Sequence, residues 1–308
     1  MSEAFQPARG IQIVAGTPPG GGLDRVARAL ATAIGAAKLI DVPLEVVNVP
    51  GGGARKAWTQ VIDKHAGDAH VAAISSPNLT TDYLVGAADF EHSRYTPIAT
   101  LVTEYIAFAA RADSRLQSGR DLLDRFRQHA AGVAVALSTA LGNPNHIALA
   151  KLVKQVGGDV SAPPIHVFDS ALDCVADVIA GKADVCAVTA ASVIAELNAG
   201  RLRVLAISAP KRLDAPFADV PIWSEQDADC VIGAWRGVSG PSGLDAAQIK
   251  FWEDAILAAT RQPCWADDLK RLSWSPQVET GALLRESLAR ERAEFVTMLA
   301  ALGLLKAR

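Results

Sequence analysis

Hydrophobic positions along the chain follow two alternating spacings. Short continuous apolar runs, such as IQIVAG (11–16) and VAAISS (71–76), are typical of buried strands, and each is followed by a more polar stretch. In the first of these stretches, one helical face is shared by the apolar residues Val26, Ala29, Leu30, Ala33, Ile34 and Ala37. Strands that alternate with helices predict an α/β fold with mixed, mostly parallel sheets.

The pattern also predicts two domains. After a long β-rich run, PIATLVTEYIAFAARAD (97–113), a second series of strand and helix units begins at GVAVALS (132–138). From Ala246 onward the chain is predicted to be helical to its end, with no strand of its own, and to pack back on the first domain. We therefore expect one domain from residues 1–102 and 230–308 and a second from 103–229, joined by crossing strands.

The turn between the first strand and the first helix reads TPPGGGLD (17–24). The first N–H groups of a helix lack intrahelical partners and lie at the positive end of its dipole, and glycine lets a ligand approach the backbone. We expect the N–H groups of Gly20, Gly21 and Gly22 to hold an anion, with Asp24 capping the helix. The nucleotide motifs GxGxxG and GxxxxGK[ST] are absent, and a capped turn that binds nothing is the alternative.

A second loop of this kind reads STALGNPNH (138–146). Asn143 is predicted to cap the following helix, Pro144 suits its first turn, and Ser138 and Thr139 offer hydroxyl groups. Two such loops, one in each predicted domain, favour a ligand-binding function over a purely structural one.

Other positions follow from the place of these turns. Ligands of parallel sheets bind at the carboxyl ends of strands, so the turns at Gly20, Ser76 and Thr139 are expected to face one cleft when the domains close. Asp169 and Ser170 end another strand, where they either reach the ligand or cap the next helix. Trp235 is expected either in the cleft or in the core.

Composition and charge narrow the classes of partner. The 308 residues carry a formal net charge of −3, with no run of like charges and no apolar stretch long enough to span a membrane. A soluble globular protein with a small-molecule ligand is expected, with no nucleic acid and no membrane insertion. The first residues, MSEAFQPARG, lack the pattern of a secretory signal, so either the protein stays inside the cell or a leader has been removed.

Metal and redox chemistry are not expected. The histidines form no HExxH pair, and Cys174, Cys186, Cys230 and Cys264 show no CxxC spacing, so neither a metal nor a cofactor is predicted. The cysteines are expected to be buried free thiols, although a Cys174–Cys186 disulfide would suit a secreted protein.

Several motifs occur in an order that resembles a known family. TPPGGGLDRVARAL, NVPGGGARKAW, ISSPN and STALGNPNHIALA resemble landmarks of the substrate-binding proteins of tripartite tricarboxylate transporters, the Bug or TctC receptors. The likeness continues through IHVFDSALDCVADVIAGKADV, AGRLRVLAIS, DVPIWSEQ and WRGVSGPSGL, and covers about residues 11–304. The resemblance implies a type II periplasmic-binding-protein fold that closes on a small organic carboxylate without catalysis. It also implies a periplasmic monomer that passes its ligand to membrane transporter subunits or a sensor.

The resemblance and the turns together define the expected ligand-binding positions. These are Pro19, Gly20, Gly21, Gly22, Leu23, Asp24, Ser76, Pro77, Ser138, Thr139, Gly142, Asn145, His146, Asp169, Ser170, Thr189 and Trp235.

The chain departs from the family pattern at several of these positions. Leu23 replaces a usual hydroxyl residue, which makes that wall apolar, and Ala140 replaces a common glycine. Asn143 and Asn145 replace frequent serines. Asp169 stands where many members have a lysine, so it would repel a second anionic group of the ligand and favour an amine or hydroxyl.

Two other functions are compatible with the same residues. An intracellular enzyme could hold a carboxylate or phosphate in the first loop and use His146 as a general base, although no GxSxG nucleophile motif accompanies it. A ligand-sensing half of a regulator would share the fold, but no DNA-binding segment precedes Ile11.

Overall fold

A computed structural model describes residues 4–306 of the chain. Within this range there are ten strands and ten α-helices. The strands are β1 (Ile11–Ala15), β2 (Leu44–Asn48), β3 (Val71–Ser75), β4 (Tyr95–Arg111), β5 (Val135–Ser138), β6 (Ile165–Phe168), β7 (Val185–Thr189), β8 (Leu202–Ile207), β9 (Gly233–Pro241) and β10 (Ser275–Thr280). The helices are α1 (Gly22–Ala37), α2 (Arg55–Lys64), α3 (Asn78–Leu84), α4 (Gly119–His129), α5 (Pro144–Gln155), α6 (Ala171–Ile179), α7 (Ile194–Asn198), α8 (Ala246–Ala259), α9 (Pro263–Arg271) and α10 (Gly281–Ala301).

The chain forms two compact units. Unit 1 contains the described residues up to Tyr83, together with Ala88–Thr103 and Trp235–Glu294. Unit 2 contains Leu84–Ala87, Glu104–Ala234 and the described residues from Phe295 onward. The expected divisions lay after residues 102 and 229, whereas the units divide at Thr103/Glu104 and at Ala234/Trp235. Strands β4 and β9 each contribute residues to both units.

Unit 1 is built on parallel strands in the order β2-β1-β3. Ile13 pairs in register with Val46 on one side and with Ala72 on the other, and β9 runs antiparallel to β3. The helices that cover the sheet bury apolar faces as their periodicity predicts. Trp58 of α2 and Trp252 of α8 are fully buried, and their indole N–H groups donate to the carbonyls of Ile74 and Ala69 at 3.0 and 2.9 Å.

Unit 2 has a mixed sheet around β5. Strand β5 is parallel to β6 and β7, while β4 is antiparallel to both β7 and β8. Cys174 and Cys186 lie in its apolar core as free thiols, and Cys230 is also buried and free. Burial raises the pKa of the Cys174 thiol well above its usual value, so the thiol is protonated. Cys264 is free and half-buried.

The C-terminal part of the chain differs from its prediction in two ways. Strand β10 interrupts the helices and pairs antiparallel with β4, so the expectation of a strand-less tail was wrong. Its sequence SPQVET has one apolar residue and a proline, which an edge strand tolerates and apolar alternation does not reveal. Beyond Glu294, the end of α10 belongs to unit 2, where Phe295 and Leu299 are buried.

No helix in residues 4–306 combines the length and apolar character needed to cross a membrane.

Candidate functional site

In unit 1, three loops leave the same edge of the sheet. Because β2, β1 and β3 are parallel neighbours, their carboxyl ends meet there. The loops after β1 and β2 are in direct contact, since a Cβ added to Gly16 would lie 2.2 Å from the Cβ of Ala54. Asn48, the last residue of β2, donates from its amide to the carbonyl of Thr17 and to the carboxylate of Asp24, both at 2.8 Å.

Asp24 organises the first loop from a buried position. Its carboxylate accepts the backbone N–H of Gly20 at 2.7 Å and the Arg28 Nε–H at 3.0 Å. Burial by itself raises the pKa of Asp24, but the hydrogen bonds from Arg28, Gly20 and Asn48 together outweigh burial and hold the pKa below its usual value. Asp24 is therefore a structural anion. The expectation that Asp24 caps α1 was wrong, because Asp24 is the third residue of the helix and the N-cap residue is Gly21.

The N–H groups open to a ligand are not the three that the sequence predicts. The N–H of Gly20 is bonded to Asp24, and that of Gly21 donates to the Pro18 carbonyl at 2.9 Å. In the first turn of α1, the N–H groups of Gly22 and Leu23 have no acceptor among the described residues. The Asp24 N–H that follows is bonded to the Thr17 hydroxyl at 3.1 Å. The unpaired donors are therefore the N–H groups of Gly22, which is half-buried, and Leu23, which is buried.

The other predicted residues of the first loop differ in burial and packing. The side chain of Leu23 is only 5% exposed, so the expected apolar wall is turned into the core of unit 1. Gly21 packs against Thr17, because a Cβ at Gly21 would lie 2.6 Å from the Thr17 Cβ. Gly20 has φ +82° and open space around its Cα, and Pro19 is exposed.

Ser76 and Pro77 lie between β3 and α3 in unit 1. The buried Ser76 hydroxyl accepts the Asn78 N–H at 3.4 Å, and the Ser76 carbonyl accepts the Leu79 N–H at 3.1 Å. The carbonyl of Pro77 accepts the N–H groups of Thr80 and Thr81. Both residues therefore lie at the carboxyl end of β3, beside the loops described above.

The second loop lies in unit 2 and has the cap that the sequence predicts. The side-chain oxygen of Asn143 accepts the His146 N–H at 3.1 Å, and Pro144 is the first residue of α5. The Asn143 amide also donates to the Ser138 carbonyl and the Thr139 hydroxyl, both at 2.7 Å. Thr139 has φ +74°, so Asn143 holds a left-handed turn directly after β5.

His146 braces this loop. Its Nδ1 accepts the N–H of Gly142 at 2.9 Å, so the neutral ring carries its proton on Nε2. Burial lowers the pKa of His146 to about 4, and the side chain is neutral at pH 7. With the Nδ1 lone pair engaged, the imidazole has no free basic nitrogen, which disfavours a role as general base.

The second loop also leaves a helix donor open. The N–H of Asn145, the second residue of α5, has no acceptor among the described residues. Its side-chain amide donates to the Ser138 hydroxyl at 2.9 Å, which leaves that hydroxyl a proton to donate elsewhere. Gly142 has φ +83°, and a Cβ there would lie 2.3 Å from Val85, so only glycine fits.

The remaining predicted residues of unit 2 are a helix cap, an exposed residue and a buried residue at a strand end. Ser170 is the N-cap of α6 and accepts the Asp173 N–H at 3.2 Å, which supports the helix-cap alternative for this residue. Asp169 is exposed. The Thr189 hydroxyl shares a hydrogen bond with that of Ser192 at 3.2 Å, at the end of β7.

Trp235 lies in unit 1 and is engaged with α10. Its indole N–H donates to both carboxylate oxygens of Glu291 at 2.8 Å. A pocket of about 170 Å³ beside this pair is lined by Thr100, Gln277, Glu279 and Glu294. Trp235 is half-buried and lines this pocket together with Glu291.

Comparisons with known proteins agree with this architecture. The family model for the tripartite tricarboxylate transporter family receptor, TctC, matches residues 26–293. The chain belongs to the tripartite tricarboxylate transporter receptor family. BugT of Bordetella pertussis is 26% identical to this receptor over 298 residues, covering 94% of this chain and 88% of its own.

Solved structures share the fold of this TctC receptor. Rpa4515 of R. palustris, solved with adipate, has a TM-score of 0.87 at 18% identity and covers 96% of this chain and 98% of its own. MatC of Rhodopseudomonas palustris, solved with malate, has a TM-score of 0.81 at 19% identity, covering 95% and 99%. The periplasmic binding protein BugD has a TM-score of 0.86 at 19% identity and covers 98% of this chain and 100% of its own. The predicted type II periplasmic-binding-protein fold is thereby confirmed.

Sequence reasoning missed several residues around the loops of this TctC receptor. Thr17, Asn48 and Arg28 hold the first loop and its Asp24, and Arg55 pairs with Asp82 beside the loop after β2. Asn48 could have been suspected from the sequence, because it is a polar residue at the end of a predicted strand. Arg28 is four residues after Asp24 on α1, a spacing at which side chains of a helix pair, so the sequence did carry a signal for it. The Arg55–Asp82 pair joins positions 27 residues apart, which spacing does not reveal.

Proposed function

We propose that this receptor captures a small organic carboxylate and delivers it unchanged to a membrane transporter or sensor. The observation that carries the proposal is a shared arrangement in the two units. Each predicted binding loop begins a helix whose first turn keeps N–H donors open, at Gly22 and Leu23 in α1 and at Asn145 in α5. Helix N-termini with open donors favour anions. Malate and adipate, the molecules in two related structures, are carboxylates.

The proposal includes the absence of catalysis. His146 was the one candidate base, and its imidazole is neutral and bonded to the Gly142 N–H. Asp24 is enclosed by donors and acts on the loop. The family to which the chain belongs consists of transporter receptors, which supports a periplasmic location and tripartite transporter subunits as partners. We propose that the receptor acts as a monomer.

The remaining predicted residues shape the ligand preference in this proposal. Ser138 supplies a hydroxyl proton, and Ser76 and Thr189 stand at the ends of β3 and β7. Asp169 is exposed and carries a carboxylate, so it disfavours a second anionic group and favours an amine or hydroxyl near it.

A thermal-shift screen tests the function. Mono-, di- and tricarboxylates, aromatic acids and amino acids are added to the folded chain, and a ligand that binds only the folded state raises the unfolding midpoint. A rise with at least one carboxylate is expected. If no acid raises the midpoint, the chain is not a carboxylate receptor.

Position Gly22 tests the open donors directly. Gly22→Pro deletes the N–H at the first position of α1, where proline is well tolerated, and Gly21 already has φ −70° and ψ 168°, which suit a residue before proline. A lost hydrogen bond to a charged group is worth about 1.5–3 kcal/mol, so calorimetry should show carboxylate affinity falling by about 10- to 100-fold. Gly22→Ala keeps the N–H and is the matched control. Equal affinity of the two variants would remove this donor from the mechanism.

A further inference from the structure

Arg55 is a half-buried cation beside the predicted binding loops of unit 1. Its side chain is 28% exposed, and Nη1 donates to the Asp82 carboxylate at 3.0 Å. The other guanidinium nitrogens, Nε and Nη2, have no acceptor among the described residues. They rest against the backbone of Gly52, since a Cβ added to Gly52 would lie 3.3 Å from Nη2 and 3.4 Å from Nε.

The surrounding elements place this cation at the carboxyl edge of the sheet. Arg55 follows the loop after β2, and its neighbour Ala54 contacts Gly16 at the end of β1. Asp82 lies on α3, which begins just after β3. The pair therefore joins the segments that follow β2 and β3, at the edge from which the Gly22 loop also leaves.

Helix stability does not account for an arginine at this point. Arg55 is the first residue of α2, and cations are disfavoured at the positive end of a helix. Lys56 follows it, and the first turn of α2 contains no acidic residue. The helix end and the guanidinium together make a site that attracts an anion.

Asp82 holds the guanidinium without enclosing it. Its side chain is 1% exposed, and Oδ1 is buried with no hydrogen-bond partner, as is the Thr81 hydroxyl oxygen beside it in sequence. Pairs of arginine with a carboxylate are frequently two-pronged, whereas the contact of Arg55 uses only one oxygen of Asp82. Burial raises the pKa of Asp82 to about 6 even though Arg55 lowers it, so the pair is a poor source of stability.

We infer that Arg55 binds a carboxylate of the ligand through a direct ion pair, and that Asp82 positions the guanidinium for it. The inference rests on the proposed function and narrows its ligand class to acids that are recognised as anions. Amides and alcohols of the same shape, which offer no charge to Arg55, are excluded. Neither residue is among the expected ligand positions.

Four variants separate a ligand role from a structural one. Arg55→Gln removes the cation, Asp82→Asn keeps it, and the double variant Arg55→Gln with Asp82→Asn removes both charges while preserving shape. Arg9→Gln is the control, because Arg9 forms an exposed pair with Asp68 at 2.6 Å on another part of unit 1. Calorimetry and thermal shift are measured with adipate, malate and benzoate, and with adipamide and benzamide as the uncharged probes.

The expected result is specific to charge. Wild type binds an acid and rejects its amide, and its affinity weakens between roughly 0.01 and 0.15 M salt, where screening increases. Asp82→Asn keeps this selectivity and salt dependence but binds the acid more weakly than wild type, because an amide holds the guanidinium less tightly than a carboxylate does. Arg55→Gln and the double variant lose about 10- to 100-fold in affinity for the acid, together with most of its salt dependence. Arg9→Gln behaves as wild type.

Each contrary outcome has its own meaning. If wild type binds an acid and the folded double variant binds it equally well, Arg55 is only the partner of Asp82 and the inference is overturned. If Arg55→Gln alone is weak and the double variant recovers, the loss came from the unpaired Asp82, and the inference is again overturned. If wild type binds no member of the wider acid panel, the proposed function fails and the inference fails with it.

Discussion

At the scale of single residues, the loops depend on polar side chains that are buried and hydrogen-bonded to the backbone. Asp24 and His146 hold equivalent places, each the third residue of its helix and each accepting a backbone N–H from the loop before it. One is kept charged by its donors, and the other is kept neutral by burial. Because both side chains bind their own loops, we expect backbone N–H groups to bind the ligand.

The neutral state of His146 predicts a pH effect on stability. Its pKa is about 4 in the folded chain and near 6.5 in the unfolded one, so below pH 6.5 the unfolded state takes up the proton first. The contribution of this residue to stability is complete above pH 6.5 and falls by up to about 3 kcal/mol as the pH drops through 4.

Urea unfolding of wild type and His146→Gln between pH 4 and 7 measures this effect. The variant removes the titrating group and keeps an acceptor for the Gly142 N–H. Its stability should therefore fall less than that of wild type on acidification. His129→Gln, at an exposed histidine, should follow wild type. Parallel curves for wild type and His146→Gln would mean that His146 is not buried as a neutral group.

At the scale of secondary-structure elements, α10 places carboxylates against the strands of unit 1. Glu291 accepts the Trp235 indole N–H, and Glu279 of β10 and Glu294 line the same pocket. Burial raises the pKa of Glu291 to about 7, and the neighbouring Glu294 and Glu279 add to the rise, which the Trp235 hydrogen bond only partly opposes.

Glu291→Gln should therefore stabilise the chain at alkaline pH. The folded state holds a proton on Glu291 that the unfolded state releases above about pH 4.5, so this stability is present at low pH and is lost as the pH rises through 7. The variant cannot ionise and still accepts the indole N–H. We expect a gain of up to about 3 kcal/mol at pH 8 and almost none at pH 4.5, measured by chemical unfolding.

The exposed variant Glu286→Gln, on the same helix, is the control. Equal effects at both pH values, or a loss of stability at pH 8, would contradict the assignment of a raised pKa to Glu291.

At the scale of the whole molecule, each unit is assembled from separated stretches of the chain. The end of α10 and the residues after it belong to unit 2. The Lys306 N–H donates to the Leu84 carbonyl at 3.0 Å, and Lys154 Nζ donates to the Ala301 carbonyl at 2.6 Å. One helix thus contributes buried side chains to both units.

Two leucines of α10 should therefore destabilise different units. Leu299 is fully buried in unit 2 and Leu284 is 2% exposed in unit 1. Either leucine changed to alanine removes buried contacts worth about 2–5 kcal/mol. Hydrogen exchange should show Leu299→Ala weakening protection in β5 and α5, and Leu284→Ala weakening it in β1 and α1. The same pattern for both variants would contradict the assignment of the helix end to unit 2.

The sequence by itself determined the α/β class, the two glycine- and asparagine-bearing loops, the Asn143 cap and the family. These properties depend on hydrophobic spacing and on residues close together in the chain, so a linear pattern carries them. Strand β10 was not predicted because an edge strand with one apolar residue shows no alternation of apolar and polar positions.

Only the tertiary structure decided which groups remain open for a ligand. The N–H groups of Gly20 and Gly21 are hydrogen-bonded to Asp24 and Pro18, so the unpaired donors are those of Gly22 and Leu23. The Arg55–Asp82 pair spans 27 positions of sequence, and Leu84 meets Lys306 across most of the chain. Hydrogen-bond partners and burial depend on which segments pack together, and the local order of residues does not specify that.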